Sequence, residues 1–122
     1  MWGYHMNTAS QAEDALKEIQ ERVNESGTGY CCKFAASDMK GKDARAIVLF
    51  SDTKLNIQNS QPSSSTTWGI KIVKNDTDYE KLCLSAVDAL NQLTEYQQLY
   101  ASIAFTNSKG HDSCLAIYYP EE

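Results

Sequence analysis

The 122-residue sequence lacks the features that mark membrane and nucleic-acid-binding proteins. No stretch approaches the roughly 18 consecutive apolar residues of a membrane helix, and the first residues lack the basic and then apolar layout of a signal peptide. Lys and Arg number 11 against 16 Asp and Glu, and the resulting net charge of −5 disfavours duplex nucleic acid, whose binding depends on neutralising phosphates. We therefore predict a soluble, cytoplasmic protein that binds neither membrane nor nucleic acid.

Cysteine is present but sparse, with four residues in the chain, and disulfide-stapled secreted scaffolds are usually richer in it. Cys31 and Cys32 are adjacent, and adjacent residues of a strand point to opposite faces. They therefore cannot chelate one metal ion as a C-x2-C pair does, and Cys83 and Cys114 supply no second pair. We expect free thiols, no metal site and no cofactor.

Catalytic motifs are missing as well. The sequence has no Gly-rich phosphate loop, no G-x-S-x-G, no H-E-x-x-H and no cluster of acidic residues at the spacing of metal ligands. A catalytic cysteine needs a base, but His111, close to Cys114, lies in a predicted hairpin turn, where a purely structural role is the simpler interpretation. We therefore expect no catalytic residues and a protein that is not an enzyme.

Hydrophobic periodicity is what the sequence does contain. Apolar residues spaced three and four apart predict a helix that starts from a Thr8 or Ser10 cap and ends near Gly27. A second, longer helix is predicted from caps at residues 76–78 to Tyr100. Apolar and polar residues alternate in the predicted strands, which are 30–37, 44–51, 68–74, 102–106 and 113–119.

The order of these elements, α-β-β-β-α-β-β, indicates one α+β domain over residues 8–122. Its two helices are predicted to pack on one face of a largely antiparallel five-stranded sheet. Residues 1–7 are predicted to be an N-terminal arm, either native or left by a cloning junction of the kind that His5-Met6 resembles. The element order, size and acidity are similar to those of type III secretion chaperones, although no motif is shared and the final helix of those chaperones is missing here.

Alternation along the strands also predicts which side chains lie on the sheet face away from the helices. This face combines three bases with apolar side chains, as an interface with an apolar centre and a charged rim does. The alternatives are that the uncharged loop before residue 68, the N-terminal arm or ordinary β-propensity accounts for the apolar residues. The opposite set, with Trp68, Ile70 and Ile72, is predicted to face the helices. The predicted partner-binding residues are Lys33, Arg45, Ile47, Leu49, Lys71, Val73 and Tyr118.

These features together predict a small acidic protein-binding module of the immunity-protein, inhibitor or secretion-chaperone type. We expect it to form a homodimer and to engage another protein through the open sheet face. The alternative is a small-molecule-binding domain or minor enzyme with a pocket near Trp68 and the loop over residues 52–67, which is dominated by Asn, Gln, Ser and Thr. A stoichiometric protein complex would favour the first function, and a bound metabolite the second.

Overall fold

The described part of the chain contains six strands and three helices. The computed structural model describes residues 1–27, 29–39, 42–56, 61–74, 78–108 and 111–121. The α+β class is as predicted, but the helix and strand counts are each one higher than expected. In chain order the elements are β1 (Trp2–Ala9), α1 (Ala12–Ser26), β2 (Cys31–Met39), β3 (Lys42–Ser51), β4 (Trp68–Lys74), α2 (Tyr79–Asn91), α3 (Glu95–Tyr100), β5 (Ser102–Ser108) and β6 (His111–Pro120).

The strands form two antiparallel three-stranded sheets, which corrects the prediction of one five-stranded sheet. β3 lies between β1 and β2 in the first sheet, and β6 lies between β4 and β5 in the second. Both outer strands of a sheet run antiparallel to its central strand, so they are parallel to each other. Each half of the chain therefore has the same plan, in which helical residues connect two parallel outer strands and the last strand inserts between them.

The N-terminal residues, predicted to be an arm, form the edge strand β1. Its Trp2 side chain is buried, and its Tyr4 and Met6 side chains pack against the same core. The Trp2 indole Nε1 donates to Gln98 Oε1 at 2.9 Å, and the Trp2 backbone N–H donates to Asn91 Oδ1 at 3.0 Å. Strand β1 is thus joined both to β3 and to the helical segment of the second half.

The first helix ends where the sequence predicts but begins later. Gly27 terminates α1 with a φ of 62°, a left-handed conformation that glycine adopts without steric cost. Neither Thr8 nor Ser10 is the cap, because α1 starts at Ala12 and its N-cap, Gln11, makes no side-chain capping bond. The Ala12 N–H instead donates to Asp38 Oδ1 of β2 at 2.8 Å. A residue distant in sequence therefore satisfies a donor at the start of this helix.

The predicted long helix is two helices. Asp78 caps α2 as predicted, accepting hydrogen bonds from the backbone N–H groups of Glu80 and Lys81. Helix α2 ends at Asn91, and Thr94 then starts α3 with a capping box in which the Gln97 side chain bonds back to the Thr94 backbone. No helix within the described residues has the length and apolarity needed to cross a membrane.

The helices cover opposite faces of the first sheet, which corrects the prediction that both lie on one face. Ala15 and Ile19 of α1 form one cluster with Ala46 and Val48 of β3. The alternate β3 residues, Ile47 and Leu49, point the other way, into the larger cluster to which α2 contributes. Helix α2 also packs on β4 and β6, so it is shared by both sheets. This larger cluster includes Ile47, Leu49, Leu82, Ala86, Leu90, Leu115 and Ile117.

Candidate protein-binding surface

Among the described residues, no helix packs on one face of the second sheet. Val73, Leu115 and Ile117 belong to the core that α2 shares, so they define the covered face of this sheet. The register places the alternate residues on the other side, with Ile70 opposite Tyr118 and with Ile72 and Ala104 both opposite Ala116. We call the surface formed by Trp68, Ile70, Ile72, Ala104 and Tyr118 the open face.

The open face exposes large apolar side chains. Ile70 and Ile72 are 57% and 56% exposed, Trp68 is 45% exposed and Tyr118 is 37% exposed. Leaving apolar area in water forgoes about 25 cal/mol per Å² of stabilisation. Single exposed apolar residues are common, but a cluster on three neighbouring strands is typical of a surface that another molecule covers.

The apolar surface extends from the open face toward α1. Strand β2 of the first sheet lies beside β5 of the second. Phe34 on β2 pairs with Val48, which places its side chain on the α1 side, and it is 39% exposed. Phe34, Leu16 and Gln20 line an open cavity of about 230 Å³. Because α2 packs on the opposite side of both sheets, this cavity and the open face lie on the same side of the molecule.

Most of the predicted partner-binding residues lie on the covered side. Ile47 and Leu49 are fully buried in the core that contains α2, so their predicted place on an open face is wrong. Val73 packs against the same core, and Lys71 pairs with buried Ile117 and therefore shares its face. Of the predicted set, Tyr118 alone belongs to the open face.

The predicted basic rim is also not at the open face. Lys33 is only 8% exposed, and its Nζ donates to the backbone carbonyls of Leu99 and Ala101 and lies 5.7 Å from the centre of the Trp2 ring. Burial lowers the pKa of Lys33, and the neighbouring Cys31 thiol partly opposes that shift. Lys33 thus fastens the end of α3 to the first sheet.

Arg45 has a similar structural role. Its guanidinium carbon lies 4.8 Å from the centre of the Tyr79 ring, in cation–π geometry. The Tyr79 hydroxyl donates to the backbone carbonyl of Ala46 at 2.9 Å, and burial raises the pKa of this phenol. Arg45 therefore helps to hold the start of α2 against β3.

Sequence alternation assigned the open-face residues Trp68, Ile70 and Ile72 to the core. Within β4 the two alternating sets are Trp68, Ile70, Ile72, Lys74 and Gly69, Lys71, Val73, and both contain a lysine. Hydrophobicity favours the first set for burial, whereas the structure buries the second beside α2. The pairing with β6 decides the matter, and no local signal in β4 reveals it.

The described side chains offer little for chemistry at this surface. Lys74 is the only charged side chain among those described on this side of the second sheet. All four cysteines are free. Burial raises the pKa of Cys83 to about 12 and raises that of Cys32 as well, so both thiols stay protonated at neutral pH and are poor nucleophiles. In the part of the chain that the structure describes, no group of three His, Cys, Asp or Glu side chains could hold a metal ion.

The alternative pocket near Trp68 involves residues 57–60, which lie outside the described residues, as does the turn at 109–110. An open cavity of about 320 Å³ lies elsewhere, lined by His5, Arg22, Glu25 and Ser26.

Comparison with family models, curated proteins and solved structures finds no match to this chain.

Proposed function

We propose that this chain is a small protein-binding module that docks on another protein through the open face. The observation that carries the proposal is the cluster of four large apolar side chains, each more than a third exposed, on a sheet face that no helix of the described chain covers. Covering this cluster would recover hydrophobic stabilisation that folding alone leaves unused.

The composition of the open face supports a protein as the partner. Trp and Tyr are among the residue types that contribute most to binding energy when they are buried at the centre of an interface. Trp68 and Tyr118 flank the apolar Ile70, and Lys74 lies at the far end of β4. This arrangement suits a partner with a complementary apolar patch. Immunity proteins, inhibitors and secretion chaperones, which all act by binding another protein, are the proposed classes, with the cytoplasm as the proposed compartment.

A pair of matched variants tests the proposal. Ile72→Asp places a carboxylate on the open face, whereas Leu84→Asp places one on α2, at a position that is 48% exposed and outside the open face. Tagged wild-type chain would be used to capture its partner from a lysate of the source organism, and the affinity of the captured protein would then be measured. We expect Ile72→Asp to weaken binding by at least about 100-fold, because an unpaired carboxylate would be desolvated.

Leu84→Asp should bind like the wild type, and circular dichroism should show that both variants remain folded, since both positions are exposed. Equal binding by wild type and Ile72→Asp, or equal weakening by the two substitutions, would contradict a role for the open face.

A further inference from the structure

Strand β4 has a free edge. In the second sheet β4 pairs only with β6, and among the described residues no strand lies on its other side. The Glu121 N–H donates to the Thr67 carbonyl at 2.8 Å, so the backbone groups of Thr67 point toward β6. Backbone direction alternates along a strand of an antiparallel ladder. The N–H and C=O groups of Trp68, Ile70 and Ile72 therefore point outward from the sheet.

The outward residues of this edge are also residues of the open face. Proteins usually protect an edge by shortening it, covering it or placing charges on it, because unpaired backbone groups next to apolar side chains attract another strand. Here the seven-residue edge presents Trp68, Ile70 and Ile72 together with outward backbone groups that no strand among the described residues pairs. This combination is suited to the addition of a strand.

We propose that a second copy of this chain supplies that strand, with the two β4 strands pairing antiparallel about a two-fold axis at Ile70. This inference rests on the proposed function, since it names a second copy of the chain as one protein that binds at β4, the strand that carries most of the open face. In this register Ile70 lies opposite Ile70 of the second copy, and Trp68 lies opposite Ile72 of the second copy. Apolar side chains therefore meet across the junction on the open face.

Charge disfavours two-fold axes nearer the C-terminal end of β4, and strand length disfavours axes nearer its N-terminal end, since an axis at Gly69 would pair only residues 68–70 of the two strands. An axis at Lys71 would place two lysines directly opposite, which is unfavourable, and an axis at Ile72 would place Ile70 opposite a lysine. With the axis at Ile70, Lys71 lies opposite Gly69, which has no side chain. Lys74 of one copy then lies opposite the uncharged Thr66 of the other, so no two lysines lie directly opposite in this register.

Such pairing would join the two second sheets into one continuous sheet of six strands. The two open faces would then lie side by side on one surface, which leaves them accessible to a further protein. Edge pairing and docking on the open face are therefore separable, and Ala104, which lies on the open face two strands from the β4 edge, tests docking without touching the edge.

Cysteine substitution tests the register directly. Directly opposed, hydrogen-bonded residues have Cα atoms about 5.5 Å apart, within the roughly 4.4–6.8 Å range of disulfides. Ile70→Cys should therefore give disulfide-linked dimers on mild oxidation. Ile72→Cys should not, because the two copies of residue 72 would lie four residues apart along the strand, or about 13 Å. Wild-type protein oxidised in the same way is the control for cross-links formed by the four native cysteines. No cross-linking of Ile70→Cys, or equal cross-linking of both variants, would overturn the register.

Light scattering on the unmodified full chain should give twice the 13.6 kDa of one chain. Ile72→Pro removes one outward N–H and no bond to β6, so we expect it to raise the dimer dissociation constant by at least about tenfold relative to Ile72→Ala. Ala104→Glu alters the open face two strands away from the edge and should leave the dimer intact.

A wild-type monomer, or equal dimer affinities for Ile72→Pro and Ile72→Ala, would overturn edge pairing. Open-face docking would still stand if Ala104→Glu abolished capture of another protein. A dimer that survives Ala104→Glu, without capture that depends on the open face, would support the second copy as partner and contradict docking on a further protein.

Discussion

The two sheets share one strand order but differ in how many helices cover them. The first sheet lies between α1 and α2, whereas the second has α2 on one face and the open face on the other. Ile47 in the first sheet is fully buried, and Ile72 in the second is 56% exposed. Both isoleucines belong to apolar strands, so the local sequence does not set their burial. Their burial depends instead on whether a helix packs on the sheet face that carries them.

This difference separates stability from binding within one small domain. Helix α2 contributes to the cores of both halves, and its buried residues contact both sheets. Substitutions beneath it should affect folding. Substitutions on the open face should affect binding with little effect on folding, because those side chains are already largely in water.

The largest expected effect comes from truncating one buried and one exposed side chain. Leu49→Ala should lower the free energy of unfolding by about 2–5 kcal/mol, because it removes a fully buried side chain and leaves a cavity. Ile72→Ala should change it by less than about 1 kcal/mol. Chemical denaturation of the two variants measures both changes. Similar losses at the two positions would contradict the assignment of covered and open faces.

A smaller effect is expected at Lys33, which connects the first sheet to the end of α3. Burial lowers the pKa of Lys33 in the folded state from its usual 10.5, so over the range between the lowered value and 10.5 the unfolded chain binds more protons. The contribution of Lys33 to stability therefore rises as the pH approaches 10.5. Denaturation of wild type and Lys33→Met across this range should show the difference in unfolding free energy moving in favour of wild type. A constant difference would mean that Lys33 is not desolvated.

The smallest expected effects concern the helix caps. The cap of α1 comes from Asp38 on strand β2, whereas the cap of α2 comes from Asp78, the residue just before that helix. Asp38→Ala and Asp78→Ala should each cost about 1 kcal/mol of stability, against little change for Asp43→Ala, an exposed control. In isolated peptides the two caps should behave differently. A peptide spanning α2 should lose helicity by circular dichroism when Asp78 is replaced, whereas a peptide spanning residues 8–27 contains no Asp38 and lacks that cap. Equal stability of Asp38→Ala and Asp43→Ala would contradict the cap on α1.

Local signals in the sequence were sufficient for several elements. The three- and four-residue spacing located α1, Gly27 marked its end, and Asp78 marked the start of α2, because these features depend on residues a turn or two apart. The break before α3 also had a local signal, since Thr94 and Gln97 have capping-box spacing, but the continuing apolar spacing suggested one helix. Alternation of Trp2, Tyr4 and Met6 likewise marks β1, although the segment was predicted to be an arm.

Local patterns in the sequence are enough to predict the α+β class, most element positions and the sets of residues that share a face within each strand. Which face of each strand is buried depends on the packing of the folded chain. Alternation relates residues within one strand, whereas burial depends on how that strand pairs with its neighbour and on which helix packs across it. Leu49 and Ile72 therefore exchanged their predicted environments, because α2, far from β3 in sequence, covers Leu49, and none of the three helices in the described residues covers Ile72.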